Sequence, residues 1–303
     1  MRAVVIGANW GLVHVYALRQ AGVEVVALGG RDRSQLANVA TLHGIAHIVD
    51  SAAEIRALAP DLVTLATPAA SHADWLREFA DIPVICEKPL FGLHASADAL
   101  NGLGDRLWVN YAFAFLDTAQ ALLALRPRLG VIHRVELRCH YELPLQFSPA
   151  QWWLEVASHP LSFLVHLCGE PRWLPGESHR LGDQILCRLG ATQADLSCHL
   201  RPGLSGIRQL IRLHTDAGLV ELQGGFVWGQ SWRYEPLRLN GEALTEGEWC
   251  AEDCWTRANM RSIAAMVGQF RGDTSVRGGL SLGLFNAAKA FPIDTLIQQA
   301  WRD

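Results

Sequence analysis

Ala3-Val4-Val5-Ile6-Gly7-Ala8-Asn9-Trp10-Gly11 opens the chain with four apolar residues running unbroken into a turn bounded by glycines. A continuous apolar run, unlike an alternating one, reads as a parallel strand buried on both faces. Residues 12–21 follow with helical spacing and stop at Gly22. The pattern then repeats. A strand is expected at 23–28, and Ser34 is expected to cap a helix reaching Leu42, with Gly44 closing it. Strands at 46–49, 62–66, 84–86 and 107–111 alternate with helices at 52–58, 72–79 and 96–103. Regular strand–helix alternation with short links predicts a doubly wound parallel sheet.

Beyond residue 115 the texture changes. Segments 131–141, 184–189, 194–200, 207–214 and 219–223 alternate apolar and polar residues with no helix between most of them. Such a series predicts an antiparallel sheet. Segment 152–168 is helix-like, and 253–301 is helical again. The expected fold class is therefore α/β: an N-terminal Rossmann doubly wound parallel sheet over residues 1–115. A C-terminal α+β domain with an open, mainly antiparallel sheet follows over 116–303.

The chain has 303 residues, half of them hydrophobic, and a formal charge of −4. No block of Lys and Arg could track a phosphate backbone, so nucleic acid is not expected as a partner. No charge-free apolar stretch of about 18 residues exists to cross a membrane. The apolar run after Arg2 is too short for a signal peptide, which points to a cytoplasmic protein. Seven cysteines, an odd number at scattered positions, suit a reduced compartment better than a disulfide framework. Cys250 and Cys254 lack a second ligand pair, so no metal is expected.

The turn after the first strand is where a backbone meets a pyrophosphate, beside the positive end of a helix. Gly7, Asn9, Trp10 and Gly11 are thus cofactor-binding candidates, although Asn9 stands where a G-x-G-x-x-G loop has glycine. At the end of the second strand Gly29-Gly30 replaces the acid that usually binds ribose hydroxyls. Arg31 and Arg33 follow, which suits a 2′-phosphate and hence NADP; Asp32 keeps NAD possible.

Three further motifs occur in order: Ala66-Thr67-Pro68 with His72, Cys86-Glu87-Lys88-Pro89-Leu90, and Glu155-Val156-Ala157-Ser158-His159 ahead of an apolar helix ending at Gly169. As an ordered set they resemble the glucose–fructose oxidoreductase / inositol dehydrogenase (Gfo/Idh/MocA) family, over nearly the whole chain. The resemblance implies an NAD(P)-dependent oxidoreductase in which Thr67, Pro68, His72, Glu87 and Lys88 line the cofactor. It implies a catalytic set of Lys88, Glu155 and His159, with Glu155 replacing the family's Asp. The chemistry agrees. An ammonium at a strand's C-terminal end can polarise a carbonyl, and an imidazole can move the accompanying proton. Glu155, one helical turn before His159, could orient it or bind substrate.

Tyr111, Trp153, Glu155 and His159 are the substrate candidates, with Trp152, Trp228 and Trp232 as further stacking surfaces. The stretch Val109-Asn110-Tyr111-Ala112-Phe113-Ala114-Phe115 carries no arginine, so the expected pocket is more apolar than one for a charged or polyhydroxylated ligand. A small carbonyl or alcohol substrate, sugar-derived or related, is expected. The short Gly7–Gly11 loop also looks like that of thiazolinyl imine reductases, which keeps imine reduction open as an alternative, with a carrier protein as partner. A non-catalytic NAD(P)-binding sensor is the alternative of another class. An open sheet has a face to cover, so a homo-oligomer, dimer or tetramer, is expected.

Overall fold

Residues 1–93, 97–143, 147–203, 205–227, 229–247, 253–273 and 283–302 are described by the computed structural model. They form two compact units. Unit 1 comprises Met1–Tyr111 and Asn259–Phe291; unit 2 comprises Ala112–Ala258 and the residues from Pro292 onward. The sequence places one boundary after residue 115, whereas the chain changes unit at Tyr111 and returns to unit 1 at Asn259.

Unit 1 holds β1 (Arg2–Ile6), β2 (Glu24–Gly29), β3 (His47–Val49), β4 (Leu62–Leu65), β5 (Val84–Glu87) and β6 (Leu107–Asn110). Their order is β6-β5-β4-β1-β2-β3, all parallel. A two-residue strand, Phe285–Asn286, extends the sheet antiparallel to β6. Two residues show no periodicity, which is why this late strand was not legible. The unbroken apolar run of β1 is what the double burial requires: Ala3, Val4, Val5 and Ile6 are fully buried. The strand order reverses between β1 and β4, which makes the crevice at their C-terminal ends the place for a ligand.

Helices α1 (Gly11–Gln20), α2 (Arg33–Leu42), α3 (Ala52–Ala57) and α4 (His72–Glu78) connect these strands. Asp32, not Ser34, caps α2, accepting from the backbone N–H of Ser34 and Gln35 at 3.1 and 3.0 Å. The helix expected at 96–103 is replaced by two 3₁₀ turns, Ala97–Leu100 and Gly104–Arg106; Ser96 lies outside the described residues.

Unit 2 is built on β7 (Ile132–Leu143), β8 (Gln184–Leu189), β9 (Thr192–Pro202), β10 (Gly206–Thr215) and β11 (Gly218–Phe226). The central order is β11-β10-β7-β9-β8, antiparallel except for the parallel β7–β9 pair. Inward positions of β7 and β10 carry Val135, Leu137, Tyr141, Ile207, Ile211 and Leu213, all buried. Gln209 shares that face. It donates to the Tyr141 hydroxyl at 3.0 Å and accepts from the Tyr234 hydroxyl at 2.8 Å, so the amide's polarity is satisfied within the core. Helices α5 (Asp117–Leu125), α6 (Pro149–Trp152) and α7 (Ser158–Cys168) belong to this unit; α8 (Cys254–Arg271) and α9 (Ala287–Ala300) follow in the chain. No helix among the described residues is long and apolar enough to cross a membrane.

Candidate functional site

The crest of the unit 1 sheet is closed by Gly7. Its φ is +119° and its N–H donates to Gly29 O at 2.8 Å. A Cβ at this position would fall 2.3 Å from Ala66 O, so only glycine lets the ends of β1 and β4 approach this closely. Trp10 occupies the N-cap of α1 but supplies no side-chain cap. Asn9 Oδ1 instead accepts from Gln35 Nε2 at 3.1 Å. Leu12 and Val13 N–H turn back onto the Asn9 and Trp10 carbonyls at 3.2 and 3.0 Å, so the start of α1 offers the positive end of its dipole to the switch point. These features fit the pyrophosphate of a dinucleotide.

At the end of β2 the three charged residues separate in role. Asp32 turns its carboxylate onto its own helix, and Gln35 and Ser34 hold it below the usual carboxylate range. Arg33 pairs with Asp50 at 2.6 Å and reaches Glu54 at 3.7 Å. Arg31 is exposed and makes no hydrogen bond or ion pair with a described residue. Of the two arginines expected at a 2′-phosphate, one is thus already engaged.

His72 and Glu87, expected at the cofactor, are buried instead and act on the loops. The His72 ring is fully buried, its Nε2 2.8 Å from Thr67 O and its Nδ1 3.1 and 3.2 Å from Pro89 O and Leu90 O. It ties the segment after β4 to the segment after β5. Burial lowers its pKa from the ordinary histidine value, with the carbonyl contacts opposing. Thr67 is half-buried, Pro68 exposed, and Thr67 Oγ1 accepts from Ser71 Oγ at 2.9 Å.

Glu87 sits at the centre of a buried network. Its Oε1 lies 2.8 Å from His14 Nε2 of α1 and accepts from Asn110 Nδ2 of β6 at 2.6 Å. Asn110 Nδ2 also reaches Asn259 Oδ1 at 2.9 Å. Burial alone would push the carboxyl up, but the bonds from His14 and Asn110 outweigh it and keep Glu87 below the usual carboxylate range. Lys88, the next residue and half-buried, therefore leaves a strand end fixed from α1, β6 and α8. Sequence reasoning missed His14, Asn110 and Asn259 as members of this set. The available signal was a histidine among the apolar residues of α1.

In unit 2 the segment from Ser148 begins with a capping box: Ser148 Oγ accepts from Gln151 N–H, and Gln151 Oε1 accepts from Ser148 N–H. A π-helical turn, Trp153–Ala157, then precedes α7. Pro160, which has no N–H and crowds the carbonyl four residues back, follows at once. Glu155 is half-buried inside this turn and His159 is 9% exposed just after it. Their four-residue spacing is thus set on a π turn rather than on the regular α-helix the sequence predicts. The His159 ring meets Trp255 edge-on at 4.7 Å; Trp255 stacks on Trp232 at 4.9 Å. Trp255 was not singled out from the sequence, Trp232 was, and Trp228 lies outside the described residues.

Tyr111 and Trp153 are placed in the cores, 1% and 0% exposed, against Phe285 and Trp301 respectively. Neither offers a surface to a substrate. Trp152 is likewise buried, stacked on Tyr141. The apolar neighbours that make these rings good stacking candidates in the sequence are the ones that enclose them.

The model of the Gfo/Idh/MocA oxidoreductase family, with an NAD-binding Rossmann fold, matches residues 1–111. The match covers the first six strands of unit 1 and stops where the chain enters unit 2. Oxidoreductase cns1 of Cordyceps militaris is 38% identical over 95 residues, 29% of this chain; the chain spans 12% of that relative's length. Across the whole chain the fold resembles several solved structures. A biliverdin reductase from Synechocystis sp. PCC 6803, solved with biliverdin and NADP+, has a TM-score of 0.70 at 14% identity, covering 99% of this chain and 98% of that one. An oxidoreductase from Agrobacterium radiobacter, solved with NAD+, L-tartaric acid and magnesium, has a TM-score of 0.69 at 16% identity, covering 100% and 95%. A myo-inositol dehydrogenase from Corynebacterium glutamicum ATCC 13032 has a TM-score of 0.67 at 15% identity, covering 99% and 94%. At these identities the likeness is one of fold. Within the matched residues, Gly7, Gly11, Thr67 and Lys88 all stand at or just after the C-terminal ends of β1, β4 and β5.

Proposed function

We propose that the chain is an NADP(H)-dependent oxidoreductase acting on a small carbonyl or alcohol. The observation that carries this reading is the seating of Lys88 at the end of β5, between a buried carboxylate network and the loop held by His72. The Gly7–Gly11 turn and the first turn of α1 would hold the pyrophosphate, and Arg31 the 2′-phosphate. When bound, a nicotinamide dinucleotide supplies or accepts the hydride.

Lys88 polarises the substrate oxygen and stabilises the negative charge that develops on it. His159 holds the proton that leaves or joins that oxygen, and Glu155 orients the imidazole. Trp255 supports the His159 ring, and Trp232, stacked on Trp255, supplies a flat apolar surface. This favours a substrate with an apolar face over a bare polyol.

Cofactor oxidation and reduction across a panel of sugar-derived alcohols, hydroxy acids, aromatic carbonyls and cyclic imines tests the proposal. Lys88→Ala should lower kcat about 10²-fold or more with the best substrate. Equal, negligible turnover in both proteins across the panel would favour a non-catalytic NAD(P)-binding sensor. Arg31→Ala should raise the KM for NADPH while leaving that for NADH unchanged; equal effects on both would reverse the NADP assignment.

A further inference from the structure

The outer face of the unit 2 sheet contains a cavity of about 480 Å³, within the range of small-molecule sites. None of Lys88, Glu155 and His159 lines it. The pairing register explains its chemistry. Gly225 of β11 stands opposite Arg208 of β10, Arg208 opposite His140 of β7, and His140 opposite His199 of β9. Neighbouring strands lie about 4.8 Å apart, so three nitrogen-bearing side chains form one row that ends on bare backbone.

The bareness is enforced. Gly225 has φ +145°, and a Cβ there would fall 1.9 Å from Ile207 O. Beside Gly225, the exposed Val227 and Leu210, which shares the face of Arg208, supply apolar lining.

Charge gives the sign of the ligand. The lining carries three arginines, Arg138, Arg208 and Arg233, against one carboxylate, Glu235, in a chain whose net charge is −4. Arg138 is committed to Asp195, with bonds of 2.8 and 2.9 Å. His140 is 3.1 Å from Glu142 and His199 is 3.7 Å from Asp183. Arg208 is exposed and has no hydrogen bond or ion pair with a described residue. Its planar guanidinium presents a fork suited to two oxygens of one anion.

We propose that this cavity binds a small amphipathic oxyanion, a phosphate ester or carboxylate on an apolar body, with Arg208 as its anchor and Leu210 and Val227 against the body. Calorimetric titration of the full chain with phenyl phosphate, benzoate, inorganic phosphate and benzyl alcohol tests it. One site per chain is expected, and phenyl phosphate or benzoate should bind at least about tenfold tighter than inorganic phosphate and benzyl alcohol. The stronger of the two identifies the anionic head. Arg208→Gln should weaken that ligand about tenfold, Arg208→Lys less, and Arg31→Ala not at all. Unchanged melting temperatures would verify that the variants are folded. Equal binding by wild type and Arg208→Gln, loss of binding in Arg31→Ala, or no heat at millimolar ligand would each overturn the proposal.

Discussion

Glu87 in unit 1 and Asp195 in unit 2 are both carboxylates held below their ordinary pKa, yet they are held in opposite ways. Glu87 is enclosed, and one histidine and one amide outweigh its desolvation. Asp195 is itself only 7% exposed, but it lies on a sheet face beneath partly exposed arginines: Arg138, Arg134 and Gln184 converge on it and bring its pKa to about 2. Removing a partner from the first leaves an uncompensated charge in the core. Removing one from the second leaves a carboxylate that the remaining arginine and Gln184 still hold, and removing Asp195 leaves arginines that water already reaches. The two units therefore differ in how much any one polar residue decides.

The largest expected effect tests this contrast directly. Glu87→Ala should cost about 3–5 kcal/mol in urea unfolding, because His14 and Asn110 lose their shared partner in the core. Glu87→Gln, which keeps an oxygen, should cost less. The sign of the pH dependence is fixed by the lowered pKa. Stability from ionised Glu87 is complete above the unfolded value of about 4.3 and is lost as pH falls through the folded value. The gap between wild type and Glu87→Gln should therefore narrow under acid; a gap independent of pH would show that Glu87 is held for shape alone.

Gly7→Ala comes next. The Cβ meets Ala66 O and the backbone angle is unfavourable for any side chain, so about 1–3 kcal/mol should be lost. Dinucleotide affinity, measured by fluorescence titration, should fall with it. Asp195→Asn should cost about 1 kcal/mol or less after solvent screening, and molar salt should shrink the effect. Under the same salt the Glu87→Ala penalty should persist, and a parallel loss of both would collapse the distinction. Smallest of all, Arg33→Ala should leave the melting temperature and the KM for NADPH nearly unchanged, since Arg33 is exposed and already paired with Asp50.

The same contrast explains what could be read from the sequence. The run from Ala3 to Gly11 is local, so the strand, the turn and the helix after it were legible. Two capping residues stand two apart at Asp32 and Ser34, and composition alone does not choose between them; the backbone of Asp32 takes the extended conformation an N-cap needs. His14 meets Glu87 from 73 positions away, and Asn110 meets Asn259 across 149. No spacing rule reaches that far. Tyr111 and Trp153 were misplaced for a related reason: an aromatic ring has the same signature at a pocket wall and in a core, and only its neighbours decide. The π turn around Glu155 was hidden because Pro160 announces a disturbance without stating its form.

The buried Gln209 has one further consequence, for how the second sheet finds its register. Inward-facing isoleucines flank it. Sliding β10 by one residue would turn Arg208 and Arg212 into the core and is rejected by burial alone, but a slip of two keeps Ile207, Ile211 and Leu213 inward. The two-residue slip would carry Gln209 along the strand, away from Tyr141 and Tyr234, and strip both of their hydroxyl partner. Apolar contacts do not distinguish such a slip from the native alignment, whereas the three-residue polar chain closes in one alignment only. Gln209 thus works as a proofreading position during folding, rejecting misaligned sheets that burial alone would accept.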